Sequence, residues 1–458
     1  MVGLDDCGAV SLKPCTRKHN GSRAALVLWI LLLLLFASVL MESAFAVAGV
    51  VMLSVPAIHK NPVTGLALYI ATATSGAFFP FSEGISLSRI YGLLYVISVL
   101  LKAFSRPRRL RLKLEAVWFA ILLVIINTLS LLYSLSLEST WAGNITMGLN
   151  IVIFLITVGY RWDDNETIRM LSICIRTVLV FFTLYLVTGH GIIDLRSGRW
   201  SLSSAVNANA IAISLAQLSI VCIAAVISAK EPKRKLTWGL LVAAGTLMLF
   251  MTGSRSSLFG LVMGSVFILF SVANYRRWQK GILFAALFGG LCLIWTLLGK
   301  LAPSLMGRFS IEAILRGQGT GRLVIWSNLA RYVIPQHLWF GVGLGGGNVI
   351  ASLTHVDTLY HKPAHNIVID LITQLGVVGI LVYGSFFVLT YRYTKRVPFE
   401  HSLVFAFAAM FVVSIGIGIG ETMFFNKLLW VSAAMCWKYA GQPQDRAHTL
   451  SREEWESG

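Results

Sequence analysis

Long apolar runs dominate this sequence and limit its fold more than any other feature. They are centred near residues 32, 50, 70, 95, 125, 152, 179, 216, 244, 264, 290, 378, 410 and 430. The chain of 458 residues is 56% hydrophobic and only 13% charged, which excludes an ordinary soluble protein. Because a helix crosses the bilayer in about 20 apolar residues, the runs predict an all-α polytopic membrane protein with about 12–14 transmembrane helices.

Polar stretches divide the chain into five parts. We expect an N-terminal tail (1–23), a bundle of transmembrane helices (24–300), a large loop with short amphipathic helices (301–364), further transmembrane helices (365–438) and a C-terminal tail (439–458). The loop is too short for a nucleotide-binding domain, so ATP is not the expected energy source.

Basic residues set the expected orientation. The formal net charge is +18, and clusters of Lys and Arg follow every second apolar run. Because positively charged loops stay in the cytoplasm, both tails are expected inside and residues 301–364 outside. Membrane topology thus accounts for most of the positive charge, which removes an interpretation based on nucleic-acid binding.

The cations expected outside are mostly arginines. They are Arg89, Arg196, Arg199, Arg255, Arg308, Arg316, Arg322, Arg331, Lys300, Lys362 and Lys427. A guanidinium binds phosphate oxygens in a bidentate way, whereas topology is indifferent to the choice between Arg and Lys. The bias favours phosphate or diphosphate binding on this side, with chance as the alternative for so small a set.

Arg255 lies in a turn of a few residues between two apolar runs, within the segment M-T-G-S-R-S-S-L. In one interpretation, Gly253 and the serines keep the backbone close while Arg255 points into a cavity of the bundle, toward an anionic headgroup. In the alternative, the segment is a hairpin tip whose cation reaches the membrane interface.

A second polar segment opens a later span, at residues 198–210. Arg196, Arg199 and Trp200 are predicted at one depth, and such a set offers charge and stacking to a sugar phosphate. Asn207 or Asn209 joins this group, with a helix N-cap as the alternative role.

A third segment, residues 320–347, combines a helix with glycines. From Arg322 onward, apolar residues recur at helical spacing and predict an amphipathic helix on the outer surface that ends at Pro335. The glycine run 341–347 follows, and its backbone N–H groups are candidates for approaching phosphate, with a plain surface loop as the alternative.

A fourth segment carries two histidines, His361 and His365. Pro363 separates them, and no external cysteine or carboxylate cluster accompanies them, so no metal site is expected. His365 lies where a span begins, and there the helix dipole favours a neutral imidazole that can act as a base. The alternative is a histidine at the membrane interface that has no role in function. Asp370 follows one turn later and is a candidate for orienting a neighbour or Arg255, with a satisfied buried carboxylate as the alternative.

In this order, the four segments resemble the O-antigen ligase and O-antigen polymerase superfamily of multispan glycosyltransferases. The matching motifs are T-G-S-R-S-S-L, G-R-L-V-I-W with F-G-V-G-L-G, and A-H-N with Q-L-G-V-V-G. The resemblance covers residues 196–387, and the upstream spans match only in hydropathy. Gln374 departs from the pattern, because many relatives carry Glu before Leu-Gly.

The resemblance implies a bacterial inner-membrane enzyme that works at the outer leaflet without a metal or cofactor. It would transfer glycan from undecaprenyl diphosphate to an acceptor hydroxyl during the synthesis of lipopolysaccharide or exopolysaccharide. The acceptor is either a lipid-anchored core sugar (ligase) or another lipid-linked glycan (polymerase). By the resemblance, Arg255 and Arg322 bind the leaving diphosphate, and His365 activates the acceptor hydroxyl or positions the sugar. The predicted substrate contacts are Arg199, Trp200, Asn207, Arg196 and Asn366.

Two other classes of function remain as alternatives. A transporter of small anions or lipid-linked glycans should show inverted repeats, broken helices and ionisable residues near the bilayer midplane, where Arg176 is the main candidate. A structural scaffold gives no reason for Arg255 in so tight a turn.

Overall fold

The computed structural model describes residues 18–41, 43–75, 86–189, 192–193, 199–201, 207–271, 277–301, 322–346, 364–397 and 402–440. The predicted substrate contact Arg196 and the first histidine of the fourth segment, His361, lie outside these ranges.

The described chain is almost entirely helical. Helices α1 to α7 span Lys18–Leu40, Ala44–Lys60, Pro62–Thr74, Leu87–Ser105, Leu114–Leu129, Leu137–Gly159 and Asp164–Val187. Strands β1 (Ile192–Ile193) and β2 (Trp200–Ser201) form a short antiparallel ladder. Helices α8 to α11 span Ala208–Ser228, Pro232–Met251, Arg255–Ser271 and Arg277–Leu301. Helix α12 (Arg322–Asn328) runs into a π-helical turn at Leu329–Val333, and α13 to α15 span Ile367–Thr394, Ser402–Gly418 and Lys427–Tyr439.

The helices coincide with the apolar runs, because each expected centre lies within one of α1–α11 or α13–α15. Seven helices in the described chain are long and apolar enough to cross a membrane, and five more apolar helices have 10–17 residues. Large apolar side chains cover the outside of the bundle, as with Phe45, which is 92% exposed, and Met52, which is 73% exposed. Such a surface suits lipid. The all-α polytopic fold is confirmed, and the larger number of crossings stays a prediction.

Polar residues between the runs begin the helices. Ser43, Ser86, Ser136, Asn207 and Asn426 each accept a hydrogen bond from a backbone N–H in the first turn of the helix that follows. First-turn N–H groups have no partner within their own helix, and lipid offers none. The short polar stretches therefore mark where one helix stops and the next starts.

Helix α8 lies at the centre of the bundle that carries the site. It packs against α9, α10 and α14, and 78% of its most apolar stretch is buried. Helices α10 and α14 approach closely at Gly260, where an added Cβ would lie 2.7 Å from the carbonyl oxygen of Val413. Small residues allow such close approach of helices in membranes. This packing brings the N-termini of α8 and α10 to the same end of the bundle.

The two ends of the bundle differ in composition. We call the end that holds the N-terminus of α8, the α9–α10 turn and the α14–α15 connection the site face. At the opposite end, the backbone N–H of Arg111 donates to Gly159 O over 2.9 Å, and Lys113 and Lys438 donate to backbone carbonyls. These basic residues therefore lie away from the site face.

Helix α13 is broken at Gly376, whose φ of 66° lies in the left-handed region that favours glycine. A turn from the preceding loop fills the break. Val377 N donates to Leu338 O over 2.8 Å, and Val342 N donates to Thr373 O over 2.9 Å. Irregular backbone at membrane depth needs such partners, because lipid provides none.

The glycine run continues this contact instead of facing a substrate. Gly343 N donates to Gln374 O over 3.0 Å, and Gly345 N donates to Gln374 Oε1 over 2.6 Å. The remaining N–H groups of residues 341–346 also donate to protein oxygens. The proposed approach of this run to phosphate is therefore wrong for residues 341–346, and Gln374 has a structural role here.

Helix α12 and the π-helical turn after it are amphipathic, as predicted. Ile325, Leu329 and Val333 are buried, whereas Leu323 is 64% exposed and Tyr332 is 45% exposed. The buried residues pack with Val342 and Ala364, on either side of the loop. The helix is thus held against the segments that enter the site.

Candidate functional site

Glu421 lies in the α14–α15 connection, and its carboxylate makes hydrogen bonds to three residues of the site. Its Oε1 accepts hydrogen bonds from Arg322 Nη2 over 2.8 Å and from Asn209 Nδ2 over 2.7 Å. Its Oε2 pairs with His365 Nδ1 over 2.8 Å. The side chain is only 6% exposed. We call Glu421, Arg322, His365 and Asn209 the Glu421 cluster.

These contacts settle the tautomer of His365. A guanidinium and an amide both donate to Glu421, which favours the ionised carboxylate, and an ionised carboxylate accepts only. His365 Nδ1 is therefore a donor, and in the neutral ring Nε2 carries the lone pair. The histidine side chain is 19% exposed, so a substrate can approach it.

The backbone around His365 is held from both sides. His365 has a φ of 52°, which is uncommon for a residue with a side chain. On one side, Trp326 Nε1 donates to Ala364 O over 2.7 Å. On the other, Asn366 caps α13 by accepting from Val368 N and Ile369 N, and its Nδ2 donates to Ile419 O over 2.9 Å. The imidazole is therefore anchored between α12 and the residues next to Glu421.

Arg199 reaches the cluster through Asn209. Arg199 Nη2 donates to Asn209 Oδ1, and Arg199 Nε donates to Thr252 O over 2.6 Å. Asn207, by contrast, is exposed, and its Oδ1 caps α8 by accepting from Asn209 N over 2.9 Å. Of the two asparagines weighed from the sequence, Asn207 is the cap and Asn209 is the residue inside the cluster.

Arg255 begins α10 beside this cluster. The next residue, Ser256, lies close to Gly420, since a Cβ added at Gly420 would meet Ser256 Cβ at 2.8 Å and Arg322 Nη1 at 3.2 Å. The Arg255 side chain is half-buried. The α9–α10 turn, Arg322 and the residue before Glu421 therefore meet at one place on the site face.

A second carboxylate fixes α13 to the same connection. Asp370 is 1% exposed, and its Oδ2 accepts a hydrogen bond from Thr422 Oγ1 over 2.6 Å. Thr422 follows Glu421 directly, so this bond sets the position of the Glu421 side chain relative to α13.

Comparison with known protein families adds to this geometry. The family model described as O-antigen ligase matches residues 239–384. This match supports the resemblance of the chain to the O-antigen ligase and polymerase superfamily. In general terms, the match supports a multispan membrane glycosyltransferase of that superfamily. No curated protein matches the chain.

The superfamily match includes Arg255, Arg322, His365 and Asn366, but it ends before Glu421. The structure brings Arg322 and His365 onto that carboxylate, links Arg199 to it and places Arg255 nearby. Their chemical roles stay predictions.

For two other predicted contacts, the described hydrogen bonds show no side-chain bond to Glu421, Arg322 or His365. Trp200 is 2% exposed and packs in the main core, which leaves little of its ring for a sugar. Asn207 is engaged as a helix cap. Their roles in substrate binding also stay predictions.

Glu421 is the residue that sequence reasoning missed. It stands in I-G-I-G-E-T, a short stretch between two apolar runs. An ionisable residue at such a position is a functional candidate by default. Because Glu421 is an anion, the distribution of cations between the two sides of the membrane does not point to it.

The described residues contain no group of three or more His, Cys, Asp or Glu side chains placed to hold a metal ion. Independence from metal stays a prediction.

Proposed function

We propose that this protein transfers or polymerises glycan from undecaprenyl diphosphate onto an acceptor hydroxyl at the outer leaflet of the bacterial inner membrane. The observation that carries the proposal is the Glu421 cluster, which joins Arg322 and His365 beside the turn that bears Arg255. Such a site offers a base and guanidinium groups within one small region.

The reaction needs one bond to form and one to break. The acceptor oxygen attacks the anomeric carbon, and the bond from that carbon to the diphosphate breaks, with the electron pair leaving on the diphosphate. The acceptor proton moves to His365 Nε2, the atom that the Glu421 contact leaves as an acceptor. A positioned general base is typically worth about 10²- to 10⁴-fold in rate.

The largest electrostatic demand comes from charge that grows on the leaving phosphate oxygens. Arg322 uses Nη2 on Glu421, no described residue accepts a hydrogen bond from its Nη1 or Nε, and its side chain is 22% exposed. Arg255 begins α10 at the same place. We assign both guanidinium groups to the diphosphate without a metal ion.

We place the site face outward and both tails in the cytoplasm. The support is the clustering of basic loops at the opposite end, together with the positive-inside rule. A lipid diphosphate in the outer leaflet then lies at the depth of the site.

Transport finds less support in this structure. Arg176 of α7 lies over the Trp238 ring, 5.3 Å from its centroid, and Trp238 lies near the start of α9, away from the site face. The break in α13 is filled by protein backbone instead of lining a midplane site. Neither feature points to a substrate pathway.

The first experiment is a gel of lipid-linked and surface glycans from cells that lack the gene. Loss of long chains, with single repeats still on the acceptor, means a polymerase. Long chains on the polyprenyl carrier, with an undecorated acceptor, mean a ligase. An unchanged profile rejects the proposal and returns attention to transport.

Complementation of these cells tests the three catalytic residues. Arg255→Ala, Arg322→Ala and His365→Ala should each abolish product while the protein still inserts and purifies. Arg255→Lys should also fail, because an ammonium cannot bind phosphate in a bidentate way. Arg331→Ala, which removes an exposed cation of the neighbouring π-helical turn, is the matched control and should restore the glycan. Full activity in the three alanine variants removes this mechanism.

A further inference from the structure

Asn209 joins two charged side chains within the site. It is the second residue of α8 and is half-buried. Its Nδ2 donates to Glu421 Oε1 over 2.7 Å, and its Oδ1 accepts a hydrogen bond from Arg199 Nη2. A guanidinium only donates hydrogen bonds, and an ionised carboxylate only accepts them. These two partners therefore fix which end of the Asn209 amide faces Glu421.

The same contacts connect the proposed base to the α9–α10 turn. Arg199 Nε donates to the backbone oxygen of Thr252, in that turn, over 2.6 Å. An unbroken chain of hydrogen bonds joins five residues in the order Thr252, Arg199, Asn209, Glu421 and His365. The base and the turn are thus parts of one hydrogen-bonded unit, with Asn209 in the middle of the chain.

The two oxygens of Glu421 have different partners. Oε1 accepts from Asn209 on α8 and from Arg322 Nη2 on α12, the latter over 2.8 Å. Oε2 pairs with His365 Nδ1 over 2.8 Å. Because donors from two helices hold Oε1, rotation of the carboxylate would break charge-assisted hydrogen bonds. Oε2 therefore stays directed at Nδ1 of the imidazole.

We propose that Asn209 is a positioning residue for His365 and acts on it through Glu421. The amide of Asn209 helps to select the carboxylate oxygen that faces α8, and the other oxygen then selects the protonated nitrogen of the ring. The consequence for catalysis rests on the proposed function. The orientation of the ring does not, because it exists without a substrate.

An exchange of donor and acceptor between the two positions tests this role. In Glu421→Gln, the new amide oxygen should face the donors Asn209 and Arg322, so its NH2 group faces His365 and forces the proton onto Nε2. In the double variant Asn209→Asp with Glu421→Gln, the new carboxylate accepts from that NH2 group. The amide oxygen can then accept from His365 Nδ1 again. The exchange preserves the net charge and the size of both side chains.

Nitrogen NMR of the full-length protein with isotope-labelled histidine reads the outcome directly. The measurement uses alkaline buffer, in which an imidazole is neutral, and the His365 signals are those lost in His365→Ala. We expect a protonated Nδ1 in the wild type, a protonated Nε2 in Glu421→Gln and a protonated Nδ1 again in the double variant. The same tautomer in Glu421→Gln and in the double variant would overturn the proposal.

Kinetics of glycan transfer should show the same compensation. The double variant should exceed Glu421→Gln in kcat per folded protein by about tenfold or more, since side chains in direct contact couple to this extent. The KM for the donor should change little. Two purely structural losses would add instead of compensating. In case the exchange prevents folding, Asn209→Ala should lower kcat by about tenfold, the effect of losing a hydrogen bond to a charged group. Wild-type kcat in Asn209→Ala would contradict the proposal.

Asn165→Asp is the matched control, because it makes the same change at the second residue of another helix, α7, where the side chain is exposed. It should leave kcat, KM and the His365 signals unchanged.

The two measurements separate this inference from the proposed function. An unchanged glycan profile in deletion cells rejects glycan transfer, and the nitrogen signals still test the orientation of His365. Loss of glycan in deletion cells, together with one tautomer in all variants, supports the transferase and rejects the role of Asn209.

Discussion

The carboxylate of Glu421 has three separate roles. It holds the Asn209 amide, partly neutralises Arg322 and fixes the protonated nitrogen of His365. The last task matters most for a base, because the orientation of an imidazole decides which nitrogen meets the substrate. Glu421 touches no reacting atom in the proposed mechanism, so we treat it as a positioning residue.

Glu421→Gln should lower kcat for glycan transfer by about 10²-fold or more, within the range typical of a general base. The amide keeps the shape of the side chain but cannot accept at both ends, so His365 loses its fixed tautomer. The KM for the donor should change less than kcat, with kcat calculated per folded protein, because loss of folded protein alone would also lower the apparent kcat at constant KM.

The matched control for this change is Glu138→Gln, which alters an exposed carboxylate in the first turn of α6 on the site face. It should retain wild-type kinetics. A Glu421→Gln enzyme with unchanged kcat would show that Glu421 does not position the base.

At the scale of an element, the broken helix α13 connects the loop to the bundle. Its break receives the turn around residues 338–346, and that turn continues from α12, which carries Arg322. The position of Arg322 therefore depends on how tightly this turn packs against the break in α13. That packing depends most directly on Gly376.

Gly376→Ala should destabilise the protein by about 1–3 kcal/mol, the usual cost of a side chain held in a sparsely populated backbone region. An added Cβ would also lie 2.3 Å from the backbone of Trp339. Thermal unfolding in detergent, followed by size-exclusion fluorescence, should show a lower midpoint.

Gly384→Ala in the same helix is the matched control, because an added Cβ there meets nothing within 4 Å. It should leave the midpoint unchanged or raise it, since Ala is the better helix former by about 1 kcal/mol. Equal midpoints for the two variants would contradict the importance of the break.

At the scale of the whole molecule, the site is a product of helix packing. Its parts come from the N-terminus of α8, the α9–α10 turn, α12, the start of α13 and the α14–α15 connection. Helix α8 packs against α9, α10 and α14, which places these ends side by side. The opposite end is tied separately through Lys113 and Lys438.

The orientation of the molecule is testable with reporters fused to the C-terminus. Both tails are expected in the cytoplasm, so a fusion to green fluorescent protein should fluoresce and a fusion to alkaline phosphatase should be inactive. A phosphatase fusion after residue 346, in the loop on the site face, should be active. The reverse pattern would place the proposed site on the cytoplasmic side and exclude an outer-leaflet reaction.

The sequence by itself determined the local features. The apolar runs predicted the helices at every centre, because a segment in lipid must pair its own backbone groups whatever surrounds it. The helix end before Pro335 also follows from neighbouring residues alone, and they offered Asn207 or Asn209 as the cap of α8, of which the structure selects Asn207. The superfamily motifs likewise marked Arg255, Arg322 and His365 as candidates.

Only the tertiary structure decided how these candidates meet. Glu421 contacts Arg322, His365 and Asn209 across 99, 56 and 212 residues of sequence. Local periodicity carries no information about such pairings, since they depend on which helix ends the packing brings together. The same holds for the glycine run, whose N–H groups fit phosphate by composition but are taken by the break in α13.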